Sequence, residues 1–156
     1  MHLILGSQSP RRRSLLAGLD IPFEAISIDA DELLITADTI VWFNGRMFGK
    51  PHSLEEAKQM LYSLSGHTHQ VYTGITLTTA GSQESFVDRT DVTFRTLADT
   101  EIDYYVEHYR PLDKAGAYGV QEYIGYIGVR KMAGSYFNVM GFPIDRVYLA
   151  LQKYGF

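Results

Sequence analysis

The 156 residues include no cysteine. Disulfides, thiolate nucleophiles and cysteine-ligated zinc are therefore excluded together. Long apolar runs are lacking as well. Nothing approaches the roughly 18 apolar residues that a membrane-spanning helix needs, and Leu3-Ile4-Leu5-Gly6 is too short for a secretory signal. Strong positive charge is also missing. A formal net charge of −4 and the lack of a basic stripe with interleaved aromatics argue against a stable nucleic-acid partner. No internal repeat, low-complexity tract or linker interrupts the chain. What is present is a hydrophobic fraction of 46%, enough to give a chain of this length a core of its own. These features predict a soluble protein of the cytoplasm, with no membrane partner and with any anion site confined to a local cluster.

Periodicity predicts a mixed α/β domain. Leu3 to Gly6 reads as a short strand, and Leu15, Leu16 and Leu19 as the apolar face of a helix beginning near Ser9-Pro10. Phe23 to Ile28 alternates like a strand and runs into the acidic cluster Asp29, Asp31, Glu32. Leu33 to Phe43 is rich in β-branched and aromatic residues, and Asn44-Gly45 predicts a hairpin into Arg46-Met47-Phe48. Ser53 and Glu56 form a capping-box pattern that opens a helix through Leu64. Thr68 to Thr79 and Glu84 to Thr96 read as a long hairpin, and Asp99 to His108 as a helix that must stop before Pro111. Asp113 to Gly128 reads as loop plus strand, and Pro143 to Tyr154 as a last helix.

Several residues invite chemistry. In Ser7-Gln8-Ser9-Pro10-Arg11-Arg12-Arg13 a strand, a loop and a helix start place amides and guanidinium groups where an anion would be welcome; the alternative is a solvated basic face. Gly45 to Lys50 is not a nucleotide P-loop, because its glycines are too close and Pro51 follows the lysine, yet Lys50 remains a phosphate-ligand candidate. Asp38 lies among Leu33, Leu34, Ile35, Ile40, Val41 and Trp42, so it should meet a cation, a metal or a strand end, with structural ion pairing as the alternative. Asp29, Asp31 and Glu32 could join it as oxygen ligands for Mg²⁺ or form a polar turn. His67 and His69 would share one strand face as a metal pair, although an ordinary strand start is the commoner meaning of such a pair. In Asp113 to Gln121, small residues allow backbone to approach a ligand and Gln121 offers both donor and acceptor.

Taken in order, Ser7-x-Ser9-Pro10-Arg11-Arg12, Ala37-Asp38-Thr39, Gly49-Lys50-Pro51, Leu64-Ser65-Gly66-x-x-His69-x-Val71-x-Thr73-Gly74, Val92-x-Phe94-Arg95 and Asp113-Lys114-Ala115-Gly116-Ala117-Tyr118-Gly119-x-Gln121 resemble the Maf family from one end of the chain to the other. The resemblance implies a two-lobed α/β fold related to inosine triphosphate pyrophosphatases. It also implies hydrolysis of nucleoside triphosphates between the α and β phosphates, with a divalent cation, Mg²⁺ or Mn²⁺, as cofactor and a homodimer as the assembly. By the same resemblance Asp38 activates water, Ser7, Arg12, Lys50 and Lys114 contact the polyphosphate, and Glu32 joins Asp38 as a metal ligand. Arg11, Thr39 and Gln121 resemble the branch acting on dTTP and UTP. An amide at Gln121 can match the carbonyl beside an N–H that thymine and uracil present. A nucleotide-binding regulator of septum formation, without turnover, is the other function attached to the family. The whole chain, 1–156, reads as one such domain, with a departure near 32–33: Glu32 is followed at once by Leu33-Leu34-Ile35, where family members carry a further helix. Smaller departures are Gly6 for the usual Ala and Glu122 for the usual Gly.

Overall fold

The computed structural model describes residues 2–7, 9–23 and 32–156, and of His2 the backbone only. Of the strand expected over Phe23–Ile28, residues 24–28, like Asp29 and Asp31, lie outside the described residues, while Phe23 is described and is not in a strand.

The chain divides into two compact units. One comprises residues 1–38, 73–88 and 141–156, the other residues 39–72 and 89–140. Among the described residues six strands form one mixed sheet in the order β1-β2-β4-β5-β6, with β3 paired to β2. Mixed strand pairing and flanking helices accord with the expected fold class.

In the first unit, β1 (His2–Leu5) pairs in parallel with the start of β2 (Glu32–Phe43), His2 opposite Glu32 and Leu5 opposite Ile35. The connection between them contains α1 (Pro10–Ala17). Alternation along β2 turns Leu33 and Ile35 to one face, where they bury with Leu3, Leu5, Leu16, Ile75, Leu77 and Phe142. Val147 and Leu151 of α6 (Ile144–Gln152) complete that core. Each such aliphatic side chain contributes about 1.5–3 kcal/mol over leaving it exposed.

In the second unit the Asn44-Gly45 turn has positive φ at both residues, 49° and 76°, as a two-residue hairpin turn into β3 (Arg46–Phe48) requires. Ser53 caps α2 (Leu54–Leu64): its side chain accepts from the Glu56 N–H at 3.1 Å, while the Glu56 carboxylate accepts from the N–H of His52 at 2.7 Å. This is the expected box displaced by one residue. Strands β4 (Thr68–Thr78) and β5 (Gln83–Phe94) are the predicted long hairpin arms, followed by α3 (Asp99–Tyr109). The stretch read as loop plus strand differs. It forms a 3-10 turn at Ala115–Ala117 and then α4 (Tyr123–Gly128), and the strand comes later as β6 (Val129–Ala133), antiparallel to β5, before α5 (Tyr136–Met140). Leu61, Leu64, Phe94, Ile102, Tyr105 and Ile124 anchor this unit's core.

Candidate functional site

In the first unit the loop after β1 is drawn tight. Gly6 N–H donates to Ile35 O at 2.7 Å and Ser7 N–H to Leu5 O at 2.8 Å. A Cβ on Gly6 would stand 2.9 Å from Leu34 Cδ1 and 3.0 Å from Thr36 Cγ2, so the glycine lets the loop lie against β2. Pro10 opens α1, as expected, with Ser9 extended at the N-cap; the Ser9 side chain, however, makes no capping bond. Ser7 instead ties down the residue before the helix. Its hydroxyl accepts from Ser9 N–H at 3.3 Å and from Arg12 Nη1 at 3.4 Å, both long bonds that a stronger acceptor could replace.

The arginine triplet is not a uniform solvated face. Arg13 is exposed, whereas Arg11 and Arg12 are half-buried. Arg12 Nε donates to Gly141 O at 2.9 Å, which fixes the plane of its guanidinium. Burial pulls the Arg12 pKa down; the nearby Asp38 carboxylate opposes this, and the neighbouring Arg11 adds to it. Asp38 is exposed and answers the cation predicted for it. Ser7, Arg12 and Asp38 are thus brought together.

Glu32 is not part of that group. It stands six residues before Asp38 on the same strand, about 20 Å away at the rise of an extended chain. One ion cannot hold both, which corrects the expected metal pair. Among the described residues no group of three or more His, Asp or Glu could hold a metal. The His67/His69 pair also dissolves. His67 precedes β4, is exposed and has Nδ1 2.7 Å from Ser65 O, whereas His69 is fully buried with Nε2 2.8 Å from the Tyr118 hydroxyl.

The second unit carries Thr39, Lys50, Lys114 and Gln121. Asp38 and Thr39 are consecutive on β2, so their side chains leave the strand on opposite faces. Exposed Lys50 follows Gly49, whose carbonyl accepts from Gly116 N–H at 3.0 Å; that bond ties the Lys50 segment to the loop of Lys114. Gly116 has φ +67°, and a Cβ there would meet Val41 Cγ2 at 2.8 Å. Ala117 follows with φ 59°, a left-handed conformation that costs a non-glycine residue energy and collects at functional loops.

Lys114 is buried and held by two carboxylates, Asp113 at 2.7 Å and Glu122 at 3.1 Å. Gln121 is fixed by its own backbone, whose carbonyl accepts from the Tyr126 hydroxyl at 2.5 Å. Its side-chain Oε1 is buried and has no hydrogen-bond donor among the described residues. Such an atom costs about 1–3 kcal/mol until a donor reaches it. Sequence reasoning missed the buried bond between His69 and Tyr118 and the Glu122 ion pair. The signal for the second was there, a carboxylate where glycine was expected.

The profile of the family described as "Maf-like protein" matches residues 27–154. Among curated proteins, the "dTTP/UTP pyrophosphatase" of Phocaeicola vulgatus is 49% identical over 183 residues, covering 97% of this chain and 95% of the relative. The protein of the same name from Bacteroides thetaiotaomicron is 45% identical over 184 residues, at 97% and 95% coverage. That of Thermotoga petrophila is 41% identical over 185 residues, at 99% and 90% coverage. Each matched stretch is longer than the 156 residues of this chain, so the relatives carry internal residues that it lacks. With a family match over most of its length, the chain belongs to the Maf-like protein family.

Proposed function

We propose that this chain hydrolyses dTTP, UTP and related pyrimidine nucleoside triphosphates to the monophosphate and pyrophosphate, clearing unwanted nucleotides from the cytoplasmic pool. The observation that carries the reading is the buried Gln121 Oε1 with no donor among the described residues, beside a lysine-bearing loop, in a chain whose relatives are named for this activity. A pyrimidine ring offers that oxygen its N3–H, and the amide nitrogen can donate to the adjacent ring carbonyl. Arg11 and Thr39 complete base choice. Thr39 works on a different part of the nucleotide from Asp38, since the two leave β2 on opposite faces.

Asp38 accepts a proton from the attacking water. The water oxygen bonds to the α phosphorus, the bond to the bridging oxygen breaks, and pyrophosphate leaves. Ser7, Arg12, Lys50 and Lys114 hold the polyphosphate and offset the charge that moves onto the leaving group. A divalent cation, Mg²⁺ or Mn²⁺, bound through Asp38 and phosphate oxygens, would supply further neutralisation. The extra residues of the relatives are assigned to the 32–33 junction, immediately before the apolar run of β2. No helix of the described residues is long and apolar enough to cross a membrane, which is compatible with the cytoplasmic placement.

The test is an incubation with Mg²⁺ or Mn²⁺ and a panel of nucleoside triphosphates, measuring products. Pyrophosphate and monophosphate from dTTP and UTP in preference to purine nucleotides is the expected result. Orthophosphate and diphosphate as products would overturn the cleavage position.

A further inference from the structure

We infer that Glu122 is a positioning residue that competes with polyphosphate for the Lys114 ammonium and so sets how tightly phosphates are held. The inference rests on the reading of Lys114 as a polyphosphate contact. Four groups form a chain behind it. Gly119 N–H donates to the Tyr105 hydroxyl at 3.0 Å, that hydroxyl donates to Glu122 Oε2 at 2.5 Å, and Glu122 Oε1 stands 3.1 Å from Lys114 Nζ. Tyr105 is fully buried on α3, so Glu122 is anchored from behind to a rigid helix. Lys114 itself is 8% exposed and has Asp113 as its second carboxylate, 2.7 Å away.

An ammonium has three donors; here one is given to Asp113, and Glu122 stands within ion-pair distance of the same nitrogen. The cluster of Asp113, Lys114 and Glu122 carries a net charge of −1 in its ionised form, a poor reception for a polyanion. A phosphate oxygen that takes full advantage of Lys114 must therefore draw the ammonium away from Glu122. The carboxylate thus keeps Lys114 in place in the empty protein, weakens its grip on bound phosphates and assists departure of pyrophosphate.

Glu122→Gln tests this by keeping a side chain that can accept from Tyr105 while removing the charge. Calorimetric titration with inorganic tripolyphosphate and pyrophosphate should show binding tighter by about threefold to fivefold, the upper part of the range for one partly exposed ion pair. In dTTP hydrolysis the same variant should lower KM and lower kcat, because product leaves more slowly. In a Lys114→Met background the gain should vanish. Tyr105→Phe, which loosens the anchor but keeps the charge, should not tighten binding. Affinity for both inorganic ligands within twofold of the parent overturns the inference. So does a gain that persists without Lys114, which would mean direct repulsion between Glu122 and phosphate. The inorganic titrations report on Glu122 whether or not dTTP is turned over, so absence of turnover in the parent protein alone counts against the proposed function and not against this inference.

Discussion

Replacing His69 by glutamine removes a titrating ring while keeping an amide within reach of the Tyr118 hydroxyl. His69 is fully buried, with Nε2 2.8 Å from that hydroxyl and Nδ1 without a partner among the described residues. Burial pushes its pKa from 6.5 down to about 4, opposed in part by Asp91. The folded protein therefore holds the His69 proton less readily than the unfolded chain. As pH falls through about 6.5 the unfolded state takes up a proton that the native state refuses, and stability declines until the native ring also protonates near pH 4. The whole displacement corresponds to about 3 kcal/mol, of which roughly 2.5 kcal/mol is lost by about pH 4.5. Urea unfolding near pH 7.5 and near pH 4.5, followed by fluorescence of Trp42, the single tryptophan and a member of the same unit, measures it. The parent should lose about 2.5 kcal/mol more than His69→Gln over this interval. Any constant cost of the substitution cancels in the comparison. Equal losses for the two proteins would show that the buried ring does not resist protonation and would refute the reasoning.

Asp38→Asn should abolish hydrolysis while nucleotide binding persists, because the amide cannot take the proton of water; such a base is commonly worth ~10²–10⁴ in rate. Near-normal turnover would remove Asp38 from the mechanism. On the proposed polyphosphate role, Arg12→Ala and Lys50→Ala should each weaken triphosphate more than monophosphate in equilibrium binding. Equal losses for the two ligands would place these side chains elsewhere. Gln121→Glu should lower kcat/KM for dTTP and UTP by roughly tenfold to a hundredfold through an unmatched polar contact with the base. A uniform loss across all nucleotides would make Gln121 structural.

Much of this was legible in the sequence where the determinants are local. Asn44-Gly45 dictates its turn through the left-handed conformations both residues tolerate, and Ser53 with Glu56 dictates the start of α2 through hydrogen bonds spanning a few residues. The stretch Tyr123-Ile124-Gly125-Tyr126-Ile127-Gly128 was misread because its β-branched residues and glycines argue against a helix. Its conformation follows from close packing: a Cβ on Gly125 would fall 2.0 Å from Val120 O. Strand β6 has little identity of its own and is defined by its pairing with β5, from Asp91 opposite Ala133 to Phe94 opposite Val129. At the candidate site, the types of residue were legible and their partners were not. Nothing local says that Arg12 will bind the carbonyl of Gly141, or that Tyr105 will anchor Glu122.

The first unit is assembled from three stretches far apart in the chain, and this sets an order on its formation during synthesis. Leu3 and Leu5 leave the ribosome long before Phe142, Val147 and Leu151, with which they pack. The second unit, residues 39–72 and 89–140, is complete by then. Nascent chains thus carry a finished core alongside an N-terminal apolar strand with no lasting partner, the kind of surface that holding chaperones recognise. Synthesis that stalls before residue 141 leaves Arg12 without the Gly141 carbonyl and Leu3 without its core, a fragment suited to degradation.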